Sequence, residues 1–160
     1  MKHGCGSSMR MDGRALRTVI IHRSTIFPGL RGDGQRAYAA AVKLLLENLP
    51  SSLASQRDTL ARCLEAMNRA LPLRAVWLFG SHARGDARPD SDVDLCLVAE
   101  GAERQLVAAR QFRRAMRPLK GKPSFTLMPI APARLAEKKA IDDHFFGTVI
   151  EEGVLLATED

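Results

Sequence analysis

The chain of 160 residues has no CxxC pair. Its three cysteines, Cys5, Cys63 and Cys96, are odd in number and far apart, so neither a disulfide framework nor a zinc site is indicated. Buried or idle thiols of a cytoplasmic protein are the expectation. No apolar run approaches the roughly 18 to 20 residues that a membrane span needs, which excludes a spanning helix and leaves a soluble protein as the reading. A secretory leader is not indicated either: the N-terminus lacks a continuous apolar core and a small-residue cleavage site. Internal repeats and low-complexity tracts are missing as well.

What remains is the composition of an ordinary globular domain, 46% apolar and 26% charged, with room for one sizeable core. The formal net charge of +6 favours anionic partners such as nucleotides, nucleic acid or an acidic protein. Positive charge is concentrated in two places, Arg10, Arg14, Arg17 and Arg23 near the start, and Arg110, Arg113, Arg114, Arg117, Lys120 and Lys122 further on. A solvated helix face and a basic tail are the plain reading of such runs. RNA binding by the second cluster finds no further support.

Residues 1–35 carry no sustained periodicity and read as a loosely ordered basic extension, in which Met9 or Met11 would serve equally as a start. The domain proper is expected over 36–160. Helical spacing of Tyr38, Ala41, Val42, Leu45 and Leu49 predicts a helix over 36–49, stopped by Pro50. A clearer amphipathic helix follows, with Leu60, Leu64, Met67 and Leu71 on one stripe and Pro72 at its end. Strands are predicted at 73–79, with Trp77 in the core, and at 93–98, joined by a short helix around 82–84 that Gly85 closes and a polar loop over 86–91. A third helix over 103–117 places Leu106, Ala109, Phe112 and Met116 inward. The strand Ser124 to Ile130, a helix opening at Pro132, a helix over 142–152 and a last strand VLLA complete the chain. The fold class is α/β in the broad α+β sense, a small mixed sheet flanked by helices.

The chemistry concentrates in LFGSHARGDARPDSDVDLCLV, residues 78–98. Residues two apart in a strand share a face, so Asp92 and Asp94 present their carboxylates together while Val93, Leu95 and Leu97 point the other way. Two such carboxylates repel, and one would be pushed toward its neutral form unless a cation lay between them. Mg²⁺ meets that need: it takes oxygen ligands at about 2.0 to 2.1 Å and keeps water or phosphate in its remaining positions. Gly80 permits a tight turn with close approach of a ligand, the following helix start points free N–H groups outward, and the Ser81 hydroxyl adds a donor to a phosphate oxygen.

The pattern G-S-x-x-R-G at Gly80, Ser81, Arg84 and Gly85, followed by S-D-x-D-L at Ser91, Asp92, Asp94 and Leu95, resembles the signature of minimal nucleotidyltransferases of the DNA polymerase β superfamily. The closing IEEGVLLA is similar to the end of those domains, and the resemblance covers roughly 56–159. It implies transfer of a nucleoside monophosphate from ATP or another NTP to an acceptor hydroxyl. Asp92 and Asp94 would be the catalytic metal ligands, and Gly80, Ser81, Arg84 and Ser91 would hold the nucleotide. Two Mg²⁺ ions, about 3.5 to 4 Å apart, would serve attack and departure separately. Members include antibiotic nucleotidyltransferases and antitoxin partners of HEPN-type toxins, so a HEPN-type helical protein is a candidate partner, and a second copy of this chain is another.

The pattern is incomplete in one respect. The family's third carboxylate belongs on the strand SFTLMPI, where Ser124 or Thr126 occupies the matching position. A neutral hydroxyl is a poor Mg²⁺ ligand, which weakens the second ion and leaves the alternative of a catalytically weak nucleotide- or partner-binding module. Acids elsewhere in the chain, such as Glu100, Asp142 or Asp143, would have to fold back to fill the gap. His82 reads as an exposed helix residue rather than a general base, His144 as a packing residue at the core edge, Arg84 equally as phosphate ligand or helix-end ion-pair residue, and Asp86 and Asp90 as loop acids.

Overall fold

The structure, a computed structural model, describes residues 42–159 together with the pair Ile20–Ile21. Strands are β1 (Ile20–Ile21), β2 (Val42–Leu44), β3 (Leu73–Phe79), β4 (Val93–Ala99), β5 (Phe125–Ile130) and β6 (Val154–Glu159). Helices are α1 (Arg57–Ala70), α2 (Gly80–Arg84), α3 (Gln105–Met116), α4 (Pro132–Ala140) and α5 (His144–Glu152). The six strands form one sheet in the order β1-β2-β6-β3-β4-β5. Neighbours are antiparallel except β4 and β5, which run parallel. This is the mixed α+β sheet expected from the sequence.

Alternation along the strands divides the core in two. Leu73, Val76 and Leu78 of β3 and Val93, Leu95, Leu97 and Ala99 of β4 pack with α1 and α3. Ala75, Trp77 and Phe79 of β3 and Cys96 and Val98 of β4 face the opposite side, where Leu135 of α4 and Phe146, Val149 and Ile150 of α5 cover them. Trp77 is therefore a half-buried core residue. Both described cysteines are free and buried, Cys63 in α1 and Cys96 in β4. Burial pushes the Cys96 thiol up to about 12, so it stays protonated and unreactive.

The helix expected over 36–49 is not formed over its described part. Val42–Leu44 is a strand, followed by a turn of 3₁₀ helix at Leu46–Asn48. The run VKLLL satisfies a period of two as well as one of 3.6: Val42, Leu44 and Leu46 are all buried. β6 decides between them by offering an edge, and Val42, Lys43 and Leu44 pair with Glu159, Thr158 and Ala157. Within the segment read as a loose extension, Ile20 and Ile21 pair with Lys43 and Val42. The rest of 1–35, including Cys5 and the N-terminal arginines, lies outside the described residues, as do 36–41.

On α3 the inward stripe is Ala108, Phe112 and Met116, spaced by four, and Ala109 is half-buried. Leu106, expected inward, is 75% exposed because it stands in the first turn, off that stripe. His144, expected to pack at the core edge, is exposed, and the neighbouring Phe146 does the packing. Arg110, Arg113, Arg114 and Arg117 line the outer side of α3, with Arg113 donating to the Phe125 carbonyl at 3.3 Å. Among the described residues no helix is long and apolar enough to cross a membrane.

Candidate active site

β3 delivers the chain to Phe79, and the next residue must reverse it into α2. Gly80 does so with φ +74, a left-handed conformation that costs a side-chain-bearing residue strain. The second reason for glycine is proximity. A Cβ at Gly80 would stand 2.2 Å from Oδ2 of Asp94, closer than any real contact, so the missing side chain is the space the carboxylate occupies. The two motifs, fourteen residues apart in sequence, thus meet at one point: the glycine turn cradles the second aspartate.

Register places the rest. Phe79 of β3 and Thr126 of β5 are the lateral partners of Asp94. Paired residues on adjacent strands share a face, so Asp94 and Thr126 stand side by side. Asp92 immediately precedes the strand and is exposed; Asp94 is half-buried. Val93, Leu95 and Leu97 between and beyond them are fully buried on the opposite side. Burial alternates from exposed Asp92 through buried Val93 and half-buried Asp94 to buried Leu95, and the alternation ends at Cys96, where α4 and α5 cover the second face as well.

Ser81 is half-buried in the first turn of α2, and its carbonyl accepts from the Asp86 amide at 3.0 Å, which closes the helix together with Gly85 at φ +82. Arg84 is exposed and makes a long 3.4 Å contact with Asp86, so its guanidinium is only loosely held. Ser91 is turned into the loop: its hydroxyl accepts the Arg88 amide at 2.8 Å and its own amide donates to the Arg88 carbonyl at 3.0 Å.

Two of the three acids named as substitutes for the third carboxylate have other partners. Glu100 lies past the opposite end of β4, bonded to Arg74. Asp143 caps α5 by accepting the Phe146 amide, and the Lys138 ammonium at 2.6 Å holds its carboxyl below the usual carboxylate range. Asp142 is exposed in the turn between α4 and α5. Among the described residues no group of three or more His, Cys, Asp and Glu side chains is gathered as a metal cage. The available donor set is two carboxylates with a hydroxyl alongside, which suits a hard ion that completes its shell with phosphate and water rather than a closed protein site.

Two cavities flank this region. One of about 280 Å³ adjoins Gly80 and is lined by Phe79, Ala83, Arg84, Phe145 and Glu152. Another of about 440 Å³ lies behind the loop, lined by Ser52, Gln56, His82, Arg88, Ser91 and Ser124, with neither Asp92 nor Asp94 in its wall. His82, read from the sequence as exposed, is in fact only 5% exposed. Its Nδ1 meets the Ser52 hydroxyl at 3.1 Å and its Nε2 the Ser91 carbonyl at 3.3 Å. Ser52 is thirty residues upstream, so no local pattern announces the contact.

Comparison with known proteins follows the same outline. Residues 60–152, more than half of the chain, match the Nucleotidyltransferase domain family. A crystal structure of a Sulfolobus solfataricus protein, inferred to be a nucleotidyltransferase, is 24% identical and covers 66% of this chain and 85% of its own, with a TM-score of 0.39. No curated protein sequence matches the chain. With its glycine-serine turn, its alternating aspartates and a family match spanning both, the chain belongs to the nucleotidyltransferase domain family.

Proposed function

We propose that the protein transfers a nucleoside monophosphate from ATP or another NTP to an acceptor hydroxyl in a Mg²⁺-dependent reaction, at a rate held down by an incomplete set of carboxylates. The observation that carries this reading is that the Asp94 carboxylate lies against Gly80, with Oδ2 only 2.2 Å from where a Cβ would stand, which brings the aspartate strand and the glycine-serine turn to one place. Asp92 and Asp94 would hold Mg²⁺, which when bound offsets charge on the triphosphate and on the developing oxyanions. Gly80, lacking a side chain, leaves the Asp94 carboxylate room to lie against the turn that would receive the phosphates. Ser81 donates its hydroxyl to a phosphate oxygen, and the loosely held Arg84 is free to turn from Asp86 toward the same charge. In the reaction the acceptor oxygen forms a bond to the α-phosphorus, the bond from that phosphorus to the bridging oxygen breaks, pyrophosphate leaves and the hydroxyl proton passes to solvent. Ser91, whose hydroxyl oxygen accepts the Arg88 amide, keeps its O–H free to donate to the nucleotide beside Asp92.

Thr126 beside Asp94 favours a second reading, a module that binds nucleotide and contributes little chemistry, as an antitoxin-type subunit paired with a HEPN-type protein would. Of the two hydroxyl positions, Thr126 rather than Ser124 is the lateral neighbour of Asp94. The test is incubation of the purified protein with α-labelled ATP, Mg²⁺ and candidate acceptors, including a protein encoded beside it, followed by detection of labelled product. Thr126→Asp is expected to raise the transfer rate while leaving ATP affinity close to that of the wild type, because a gain confined to the transition state appears in the rate and not in binding. Robust wild-type transfer that Thr126→Asp does not improve would remove the idea of an impaired site. Binding without transfer to any acceptor, in both proteins, would favour the second reading.

A further inference from the structure

The buried imidazole of His82 is unusual for a residue between a glycine-serine turn and an exposed loop. It sits in α2, two positions after Gly80, and reaches across to the carbonyl of Ser91, the residue that immediately precedes Asp92. A carbonyl oxygen can only accept, so Nε2 carries the proton; in the neutral ring Nδ1 is then an acceptor and the Ser52 hydroxyl donates to it. The bond to Ser91 is made to the peptide unit joining Ser91 to Asp92, so it sets the plane from which Asp92 leaves the loop.

The residues on either side of that peptide have their own ties, but His82 makes the bond to its carbonyl. The loop is tied to α2 at its start by Asp86 and closed on itself by Arg88 and Ser91. The strand begins only at Val93, whose amide donates to Ser124. Between those ties lies the cavity of about 440 Å³, whose wall includes His82, Ser91 and Gln56, and the Gln56 Oε1 is buried without a partner. A loop backed by open space relaxes into it unless a strut holds it off.

From this geometry we infer that His82, supported by Ser52, is a positioning residue for Asp92: a strut that couples the glycine-serine turn to the aspartate strand and presets the carboxylate before metal and nucleotide arrive. The inference rests on the reading of Asp92 as a Mg²⁺ ligand. A group hydrogen-bonded to a ligating side chain typically carries a 10- to 100-fold share of metal affinity; His82 acts through the peptide ahead of Asp92, so the lower end of that range is expected.

Three substitutions separate the strut from mere packing. In His82→Gln the side-chain amide extends to the position of Nε2 and donates to Ser91; in His82→Asn it ends at the position of Nδ1, keeps Ser52 and loses Ser91; His82→Leu keeps bulk and loses both. Two quantities are measured: the factor by which Mg²⁺ tightens ATP binding, and amide hydrogen exchange over residues 86–93 in the protein without ligand. His82→Asn and His82→Leu are expected to lower the Mg²⁺ factor by roughly 10-fold or more and to speed exchange in the loop, with His82→Gln restoring both toward wild type. Should His82→Leu fail to fold, the comparison of Asn with Gln, both polar and uncharged, decides alone. Equal exchange and equal Mg²⁺ factors in Asn, Gln and wild type would overturn the strut. A wild type that shows no Mg²⁺-dependent ATP binding would instead defeat the proposed function, and the exchange comparison would still decide whether His82 holds the loop.

Discussion

Asp92→Asn combined with Asp94→Asn is expected to abolish the Mg²⁺-dependent part of ATP binding, a loss of at least about 100-fold, without lowering the melting temperature. The size follows from charge: at an effective dielectric of about 20, each unit pair 4 Å apart is worth roughly 4 kcal/mol, and every 1.4 kcal/mol is about tenfold in affinity. Asparagine preserves the volume of each side chain and removes only the charge. Stability is spared because Asp92 is exposed ahead of β4 and Asp94 alternates with the fully buried Val93, Leu95 and Leu97. Without a cation their mutual repulsion opposes folding, so the metal-free double variant should melt at the same temperature or slightly higher. Calorimetric titration with and without Mg²⁺, beside thermal melts in chelator, checks both halves. Mg²⁺-dependent affinity equal to wild type would end the assignment of the pair as metal ligands.

Gly80→Ala should be nearly as damaging to binding, for a steric reason. The added Cβ would meet Asp94 Oδ2 at 2.2 Å, and the atom it meets is the end of a side chain that can rotate, so the carboxylate gives way before the backbone does. Misplacing a group of this kind by about 1 Å can cost on the order of 100-fold in rate, and a displaced ligand should lose metal affinity accordingly. Separately, a non-glycine residue in a left-handed conformation costs roughly 1 to 2 kcal/mol of stability. Gly85 supplies the control. It too has positive φ, +82, yet a Cβ there meets nothing within 4 Å. Gly85→Ala is therefore expected to lose a similar amount of stability in denaturant melts and to keep its Mg²⁺-dependent ATP affinity. If the two alanine variants bind ATP equally well, the contact between Gly80 and Asp94 has no bearing on the site.

The acid pair and the glycine turn both lie in a part of the fold that the sequence specifies locally. The strand-turn-helix-loop-strand unit over 73–99 is legible because its signals are local: apolar alternation in β3 and β4, a glycine-serine pair at one junction, Gly85 at the other. The strand period sets Asp94 on the face opposite Val93 and Leu95, while Asp92 stands just ahead of the strand. α1 is legible for the same reason, since Leu60, Leu64 and Met67 are buried at helical spacing. Where a segment satisfies two periods at once, local reading fails, and Val42–Leu44 became a strand because the exposed edge of β6 was there to pair with it.

The remaining features depend on partners distant in the chain. Which hydroxyl stands beside Asp94 is a matter of parallel register between β4 and β5, and no pattern within either strand specifies it. His82 is buried because Ser52, ahead of α1, and Ser91, at the far end of the loop, converge on its two ring nitrogens. A side chain between a turn and a helix end can be solvated or satisfied with equal local logic. The contact of Gly80 with Asp94 has the same character: the glycine is visible as a turn residue in the sequence, but the carboxylate that needs its missing Cβ arrives from the neighbouring strand. Hydrophobic period and turn chemistry are properties of a few consecutive residues, so they survive in a linear reading. Register, burial of a polar side chain and the space around a carboxylate are properties of packed pairs, and they exist only once the sheet and its helices have closed around them.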